Sequence, residues 1–255
     1  MSRTVGVVVP AYRPDVDLLK RYLGALEREL EPETIRVELD AATAETVSAL
    51  EETPATVNVV DDRRGKGAAI TAGFEALDTD VLAFADADGS TPAESIRSVI
   101  EAVLSGAADL AVGSRRHPEA DVRSHQTVLR HHLGDVFAWL ARRFLSVELR
   151  DYQCGAKAMT RETWLAIRAD LTEPGFAFDI ELVGLADARG GTVREVPVIW
   201  EDHPESTVRT SSAVPELLRA LLSVRKRTRE LDESGTTPQP RPHRSDDTPL
   251  IERDQ

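Results

Sequence analysis

Cysteine and long apolar runs are scarce in this sequence, and each scarcity excludes a class of protein. Cys154 is the only cysteine among 255 residues, which excludes a disulfide framework and a zinc site built from several thiolates. No window approaches the ~18 uninterrupted apolar residues that a membrane-spanning helix needs. The first residues lack the basic and apolar regions of a signal peptide. We therefore expect a protein of a reducing cytoplasm that does not span a membrane.

Lysine is also scarce, and positive charge is outnumbered. The chain carries 44 acidic against 31 basic residues, a formal net charge of -13. An acidic surface with arginine in place of lysine is typical of proteins from halophilic organisms, and it concerns the solvent more than the fold. Nucleic acid is not expected as a partner, because phosphate binding needs a basic face. The lysines are Lys20, Lys66, Lys157 and Lys226.

Short runs rich in β-branched residues alternate with amphipathic windows along the first half of the chain. In DLLKRYLGALEREL the spacing of Leu18, Tyr22 and Leu26 predicts a helix with one apolar face. The short runs are apolar without alternation, which indicates strands buried on both faces. We therefore predict an α/β fold with a mostly parallel, Rossmann-like sheet flanked by helices. The strands are expected in TVGVVVP, IRVELD, TVNVVDD, DVLAFADAD, ADLAVGSR and TVREVPVIW.

We expect one domain over residues 1–212. Within it a helical pattern spans 125–145, a loop RDYQCGAK follows, and a further helix begins near Ala177. An amphipathic helix is predicted over 213–231. The tail 232–255 has little to bury and is predicted to be disordered.

Two acidic residues follow the fourth predicted strand in the stretch LAFADADGSTP. Ligands of parallel α/β sheets bind outside the carboxyl ends of the strands. Asp86 and Asp88 can converge there on one hard divalent cation, Mg²⁺ or Mn²⁺, which leaves coordination positions for water and diphosphate oxygens. The alternative is an acidic pair that only ends a strand. Ser90 or Thr91 is expected to cap the helix that follows.

Seven motifs occur in order over about residues 4–210: VVVPAYRPD, DDRRGKGAAITAGF, FADADGSTP, VGSR, DYQCGAKAMTR, FAFDIELV and EVPVIWEDHPESTV. Together they resemble family 2 inverting glycosyltransferases of the glycosyltransferase A fold. The resemblance is strongest to synthases of dolichyl-phosphate glucose and dolichyl-phosphate mannose, and QCG-x-K with FAFD-x-E is similar to the glucose type.

The resemblance implies roles at the donor side of a catalytic site. The nucleotide would contact Pro10, Ala11, Tyr12, Asp40 and Lys66. Asp86 and Asp88 would hold the metal on the donor diphosphate. Relatives often carry a glutamine as a further metal ligand where this chain has Ser90.

The resemblance also implies an acceptor side, where Arg115 and Arg130 would bind the phosphate of a dolichyl or polyprenyl phosphate. Arginine suits this task because its guanidinium binds phosphate through paired, charge-assisted hydrogen bonds. Asp179 is either a base or sugar ligand, or a charge that complements a helix N-terminus together with Glu181. The acceptor and sugar pocket is expected to contain Gln153, Cys154, Gly155, Lys157, Asp179, Glu181 and Trp200.

Two motifs depart from the family pattern. Relatives usually follow the tyrosine with asparagine and glutamate, but here Arg13 and Pro14 follow it. The second aspartate of the common DDGS has become Ala41. The choice between UDP and GDP therefore stays open.

The segment VPELLRALLSVRKRTREL combines an apolar stripe with a basic end. A basic amphipathic helix can lie in an anionic lipid surface, and it can equally pack on its own domain. The apolar residues are Leu217, Leu218, Leu221, Leu222 and Val224. The basic ones are Arg225, Lys226, Arg227 and Arg229.

The resemblance therefore implies a metal-dependent enzyme that moves a hexose, with glucose favoured over mannose as its identity, from a UDP- or GDP-sugar to a dolichyl or polyprenyl phosphate with inversion. It would work on the cytoplasmic face of a membrane. The alternatives are transfer to a sugar hydroxyl, a non-catalytic binder of nucleotide sugars, and a sugar nucleotidyltransferase. A sugar nucleotidyltransferase should carry a glycine-rich basic loop near its first strand, and the segment PAYRPD at that place is not such a loop. A nicotinamide site is not expected, because Ile70 stands where the third glycine of that fingerprint belongs.

Overall fold

A seven-stranded sheet with the order β3-β2-β1-β4-β7-β5-β8 forms the centre of the protein. The computed structural model describes residues 3–123, 141–201, 221–228 and 249–252. Every neighbouring pair in the sheet is parallel except those of β7, which is antiparallel to β4 and β5. The predicted α/β class with a mostly parallel sheet is confirmed. The sheet strands are β1 Val5–Tyr12, β2 Thr34–Asp40, β3 Thr56–Val60, β4 Val81–Ala85, β5 Leu110–Ser114, β7 Ala156–Thr160 and β8 Val193–Pro197.

Helices cover both faces of the sheet because alternate strand residues point to opposite sides. Val7 and Val9 of β1 pack among the apolar residues of α1 and α4. Val8 packs on the other side, among those of α3, α5 and α6. The helices are α1 Val16–Leu30, α2 Ala44–Leu50, α3 Lys66–Ala76, α4 Ala93–Leu104, α5 Arg161–Ile167 and α6 Phe178–Ala188. A separate parallel pair is formed by β6 Asp121–Arg123 and β9 Ile199–Glu201.

Strand order places a ligand crevice at the carboxyl end of β4. β1 pairs with β2 on one side and with β4 on the other, so the chain reverses its direction of winding between β1 and β4. A parallel sheet opens a crevice where the strand order reverses in this way. Asp86 and Asp88 lie directly after β4 and therefore at this crevice.

Strand β7 is absent from the sequence prediction, which placed a loop up to Lys157. The strand AKAMT has little β-branched or aromatic character, so its local preference is weak. It is a strand because β4 and β5 pair with it on both sides, with Lys157 opposite Phe84 and Val112. Tertiary context decides its structure.

The predicted helix cap at Ser90 or Thr91 is wrong. α4 begins at Ala93, its N-cap is Pro92, and no side chain caps it. The backbone amide of Ser90 instead donates to Asp88 Oδ1 at 3.0 Å, and its carbonyl accepts from the amide of Glu201 at 2.8 Å. Ser90 therefore joins the acidic pair to β9.

The described part of the C-terminal helix packs on the domain, which is the second of the two alternatives that its sequence left open. Residues 221–228 are helical, and Leu221 and Val224 are fully buried in the core. A Cβ on Gly184 of α6 would lie 2.6 Å from Val224 Cγ1, so the two helices are in close contact. Only Leu222, 56% exposed, keeps an apolar side chain in solvent among the described residues of this stripe.

The tail prediction is wrong for the part that the structure describes. Leu250–Glu252 form a 3₁₀-helix, Leu250 is 4% exposed, and its amide donates to the Leu171 carbonyl at 2.9 Å. Of the helix predicted over 125–145, residues 125–140 lie outside the described residues, 141–144 are helical, and Leu145 lies in a bend after the helix. In the described part of the chain no helix is both long and apolar enough to cross a bilayer.

Candidate active site

Asp86 occupies a position that only a glycine at 155 allows. A Cβ on Gly155 would lie 1.9 Å from Asp86 Oδ2, far inside van der Waals contact. The Asp86 amide donates to the Gly155 carbonyl at 3.0 Å, which extends the pairing of β4 with β7. The loop before β7 thus fixes the first acidic residue against the edge of the sheet, and the Asp86 side chain stays 40% exposed to the crevice.

Lys66, the first residue of α3, brings a positive charge to this acidic residue. Its Nζ lies 3.0 Å from Asp86 Oδ1 and 3.0 Å from Asp179 Oδ2. The lysine side chain is 8% exposed, and its Nζ lies 5.3 Å from the centre of the Phe84 ring. Burial alone would lower the pKa of Lys66, but Asp179 and Asp86 outweigh it and raise that pKa, so the ammonium stays charged.

Asp179 lies between two lysines. Lys157 Nζ donates to Asp179 Oδ1 at 2.6 Å and to the Cys154 carbonyl at 2.8 Å. Asp179 is 1% exposed. Burial would raise the pKa of its carboxyl, but Lys157 and Lys66 lower it below the usual range. A general base needs a pKa near the working pH, so this pairing contradicts the predicted role of Asp179 as a base and makes it a structural anion of the site.

Asp88 has the opposite electrostatic environment. Burial, and after it the charge of Asp86, raises the pKa of the Asp88 carboxyl. Tyr22 of α1 lies near the same two carboxylates. Burial raises the pKa of its hydroxyl, and the charges of Asp86 and Asp88 raise it further. The Tyr22 hydroxyl donates to the Thr91 carbonyl at 2.8 Å. Two carboxylates that repel each other in a partly buried crevice favour a cation.

The acidic pair fits a hard divalent cation whose remaining ligands come from the substrate. Within residues 3–123, 141–201, 221–228 and 249–252, no group of three or more histidine, cysteine, aspartate or glutamate side chains is placed to hold a metal. Mg²⁺ is typically held by one or two carboxylates together with substrate phosphates and waters. Asp86 and Asp88 match this donor set, whereas they do not match a metal site made by protein alone.

The nucleotide side begins at the end of β1. Pro10, Ala11 and Tyr12 are the last residues of that strand. The Arg63 guanidinium lies 4.3 Å and the Arg13 guanidinium 5.3 Å from the centre of the Tyr12 ring. The tyrosine ring therefore carries cations beside it, which suits an anionic ligand at this strand end.

Asp40 makes contacts that the prediction did not include. Its Oδ1 accepts from Arg64 Nε at 2.9 Å, and its Oδ2 accepts from the amides of Arg64 at 2.8 Å and Gly65 at 3.1 Å. Asp40 thus fixes the loop that leads into Lys66. Its contact with a nucleotide base stays a prediction.

The N-terminus of α3 is closed by protein. The amides of Gly67 and Ala68 donate to the Pro174 carbonyl at 2.8 and 3.2 Å. A Cβ on Gly67 would lie 2.3 Å from the Glu173 carbonyl oxygen. A dinucleotide fingerprint leaves such amides open to a pyrophosphate, so the geometry agrees with the sequence argument against a nicotinamide site.

Arg115 follows β5 and is paired with a buried acid. Its Nε and one NH₂ group donate to Asp151 Oδ2 and Oδ1 at 2.7 and 2.9 Å, and its guanidinium lies 5.7 Å from the centre of the Trp200 ring. Burial would raise the pKa of Asp151, but Arg115 lowers it to about 2. Arg115 is thus held at the strand end, and its contact with a phosphate stays a prediction. Arg130 lies outside the described residues.

Glu181 lies in the first turn of α6, which agrees with the alternative of a charge at a helix N-terminus. Its carboxylate is fully buried and accepts from the amides of Thr172 and Glu173 at 3.0 and 2.8 Å. Arg227 NH1 lies 2.6 Å from its Oε1. Glu181 therefore joins the C-terminal helix to the loop that closes α3, and its described partners are protein groups.

The other predicted pocket residues surround β7. Cys154 is fully buried, and burial raises the pKa of its thiol to about 11, which rules out a thiolate nucleophile at neutral pH. The Gln153 amide donates to Asp151 Oδ1 at 3.2 Å, so Gln153 lies beside the Arg115 pair. Trp200 lies on β9.

Sequence reasoning missed Tyr22, Arg64, Asp151 and the Thr172–Gly175 loop. Tyr22 was assigned only to the apolar face of α1. Asp151 and the loop carry no periodic signal, and their partners are distant in sequence. The available signals were Arg64 and Asp151, because each stands in a quoted motif, DDRRGKGAAITAGF and DYQCGAKAMTR.

Comparison with known proteins assigns the family. The family described as Glycosyl transferase family 2 matches residues 6–168. The chain therefore belongs to glycosyl transferase family 2, as the motifs predicted.

Three curated relatives are similar in sequence. Glycosyltransferase AglD of Haloferax volcanii is 38% identical over 151 residues, 58% of this chain and 23% of that protein. Dolichyl-phosphate beta-glucosyltransferase of Drosophila melanogaster is 34% identical, covering 55% of this chain and 45% of that protein. Polyprenol monophosphomannose synthase of Mycolicibacterium smegmatis is 34% identical, covering 55% of this chain and 54% of that protein. The chain thus matches only a quarter to about half of the length of these relatives.

Solved structures confirm the glycosyltransferase A fold. Glucosyl-3-phosphoglycerate synthase from Mycobacterium tuberculosis, in complex with Mn²⁺, UDP-glucose and phosphoglyceric acid, gives a TM-score of 0.67 at 18% identity, with 88% of this chain and 80% of that chain covered. The same enzyme with Mg²⁺ and UDP gives 0.66. At 18% identity, this similarity shows a shared fold and nothing further.

Proposed function

We propose that this protein transfers a hexose from a nucleotide diphosphate sugar to a polyprenyl phosphate, with inversion at the sugar and with help from a divalent cation. The observation that carries the proposal is the acidic pair Asp86 and Asp88 at the crevice of the sheet, fixed by Gly155 and faced by Lys66. The names of the relatives from Drosophila and Mycolicibacterium support a lipid phosphate acceptor. They support glucose or mannose as the sugar, and the QCG-x-K and FAFD-x-E motifs favour glucose.

Each protein group has a task that its environment suits. Asp86 and Asp88 would hold Mg²⁺ or Mn²⁺, and the chemistry that such a cation supplies is neutralisation of charge on the departing diphosphate. Lys66 adds an ammonium at the same place. Tyr12 and Arg63 would contact the nucleotide. UDP is supported by the UDP complexes of the structural relative.

The acceptor needs no strong base. A phosphate monoester is already ionised near neutral pH, since its second pKa is about 6. Arg115 would orient that phosphate beside the Trp200 ring. The low pKa of Asp179, held between Lys66 and Lys157, weakens the alternative of a sugar hydroxyl acceptor, because that acceptor needs a base.

Transfer to a lipid tests the proposal. UDP- and GDP-hexoses are offered with Mn²⁺ and a polyprenyl phosphate in detergent, and labelled sugar in the lipid fraction is measured. We expect label from one nucleotide class. If the label appears only in free sugar, or only in water-soluble glycosides when a sugar acceptor is added, a polyprenyl phosphate is not the acceptor.

Replacing Asp88 by alanine is expected to lower transfer at least 100-fold, because a group that binds the charge of the leaving diphosphate contributes about this much. Asp78→Ala is the matched control, since the Asp78 side chain is fully exposed and distant from the crevice. Circular dichroism checks that both variants fold. Undiminished transfer by the folded Asp88→Ala variant would refute the metal role.

A further inference from the structure

We infer that Lys66 is an internal counter-ion that competes with the divalent cation for Asp86, so that the cation binds tightly only together with a nucleotide diphosphate. This inference rests on the proposed function and adds an order to its binding steps. The lysine, and not the acidic pair alone, then determines how much the bound nucleotide increases the affinity for the cation, and the bound cation the affinity for the nucleotide.

The first support is the placement of the ammonium. Lys66 Nζ is 3.0 Å from Asp86 Oδ1, which is one of the oxygens that a cation in the crevice would need. Two cations cannot share one carboxylate oxygen at close range without strong repulsion. A bound Mg²⁺ or Mn²⁺ therefore has to displace or oppose Lys66.

The second support is that Lys66 has a second anion to keep it in the site. Asp179 Oδ2 is also 3.0 Å from Lys66 Nζ, and Asp179 is itself fixed by Lys157 at 2.6 Å. A lysine that loses Asp86 thus stays attached to Asp179. Asp179 is in this sense a positioning residue for Lys66.

The third support is the rigid start of α3. Gly67 and Ala68 donate their amides to the Pro174 carbonyl, and a Cβ on Gly65 would lie 2.5 Å from the same oxygen. The Lys66 backbone therefore cannot retreat from the crevice, and only its side chain can move. An ammonium displaced from Asp86 by a few ångströms still lies where an incoming diphosphate would supply negative oxygens.

Calorimetry of Lys66→Met gives the decisive test, because the inference predicts changes of opposite sign. Mn²⁺ alone is expected to bind this variant roughly tenfold more tightly than the wild type, since one competing charge is gone. UDP in saturating Mn²⁺ is expected to bind roughly tenfold more weakly, since an ammonium near the diphosphate is lost. Lys66→Arg keeps the charge and is expected to restore weak binding of Mn²⁺ alone.

The chain offers a matched control and a second variant. Lys20→Met removes a partly exposed lysine that is paired with Glu52, and it is expected to change neither affinity. Asp179→Asn leaves Lys66 with Asp86 as its remaining carboxylate partner among the described residues, so Mn²⁺ alone is expected to bind more weakly than in the wild type. This variant keeps the inference testable if Lys66→Met fails to fold.

The outcomes separate the inference from the proposed function. If Mn²⁺ alone binds Lys66→Met no more tightly than the wild type, or Asp179→Asn no more weakly, the competition is refuted. Mutual strengthening of Mn²⁺ and UDP in the wild type would then still support the proposed function. If the wild type binds Mn²⁺ neither alone nor with UDP, both the inference and the proposed function fail.

Discussion

Gly155 is the residue on which the position of Asp86 depends most directly. Alanine there would place its Cβ 1.9 Å from Asp86 Oδ2, and both neighbours lie on backbone fixed by the sheet. We expect Gly155→Ala to move Asp86 and to weaken UDP binding in Mn²⁺ by about 1.5–3 kcal/mol, which is the range for a lost contact with a charged group. Isothermal calorimetry measures this change.

Gly175→Ala is the control, since a Cβ on Gly175 meets no atom within 4 Å. Equal nucleotide affinity of Gly155→Ala and the wild type would show that Asp86 does not need its observed position.

Both departures from the family pattern fall on left-handed backbone. Arg13 has φ 48° and Ala41 has φ 49°, a region that costs a residue with a Cβ about 1–2 kcal/mol. Asparagine and aspartate tolerate it best, and relatives usually have asparagine and aspartate at these two places. A backbone requirement thus explains part of the motif that sequence reasoning assigned to ligand contacts alone.

Ala41→Asn is therefore expected to raise the free energy of unfolding by about 0.5–1 kcal/mol. Urea denaturation measures it. Ala120→Asn serves for comparison, because Ala120 lies in a loop without positive φ and should stay within about 0.5 kcal/mol of the wild type. A destabilised Ala41→Asn variant would show that the backbone argument fails.

The Arg115 pair predicts a pH dependence of stability. Asp151 has a pKa of about 2 in the folded protein against an ordinary 3.8. Because this pKa is depressed, the pair stabilises the fold fully above the ordinary value, and the contribution is lost as the pH falls toward 2. Its size is about 2 kcal/mol.

Asp151→Asn should therefore lower the free energy of unfolding by a constant amount above about pH 5, and the difference from the wild type should shrink below about pH 4. Urea denaturation along a pH series measures this. A difference that grows as the pH falls would have the wrong sign.

At the scale of elements, the C-terminal helix supports the start of α3 through one chain of contacts. Arg227 forms an ion pair with Glu181. Glu181 accepts hydrogen bonds from the amides of Thr172 and Glu173. The carbonyl of Pro174, the next residue, accepts from the first amides of α3. Loss of one end of this chain should loosen the other end.

We expect Arg227→Met to cost about 1–3 kcal/mol of stability, because Glu181 keeps its amide partners while losing its charge partner. Hydrogen exchange at the Gly67 and Ala68 amides should accelerate. Lys226→Met changes an exposed neighbour on the same helix and should leave that exchange unchanged. Unchanged exchange in Arg227→Met would show that helix and site are independent.

The strand ends could be predicted from sequence, and the contacts between elements could not. Asp86 and Asp88 were assigned correctly to the end of β4, because the strand ends where the run of apolar residues ends. The ion pair of Lys66 with Asp179 joins residues 113 positions apart, and no local pattern encodes such a pair. β7 escaped prediction for a related reason, since its neighbours in the sheet determine it.

At the scale of the whole molecule, strand order and charge together define the site. The reversal between β1 and β4 opens the crevice, and in a chain of net charge -13 local cations are needed to hold a diphosphate at all. Lys66 lies beside Asp86 at the end of β4, and Arg115 directly follows β5.

Calorimetric titration of UDP, with and without Mn²⁺, tests the role of the acidic pair most directly. We predict that Mn²⁺ strengthens UDP binding at least tenfold in the wild type and that Asp88→Ala abolishes this strengthening while binding UDP alone as before. Equal UDP affinity with and without Mn²⁺ in the wild type would contradict a cation held between Asp86, Asp88 and the donor diphosphate.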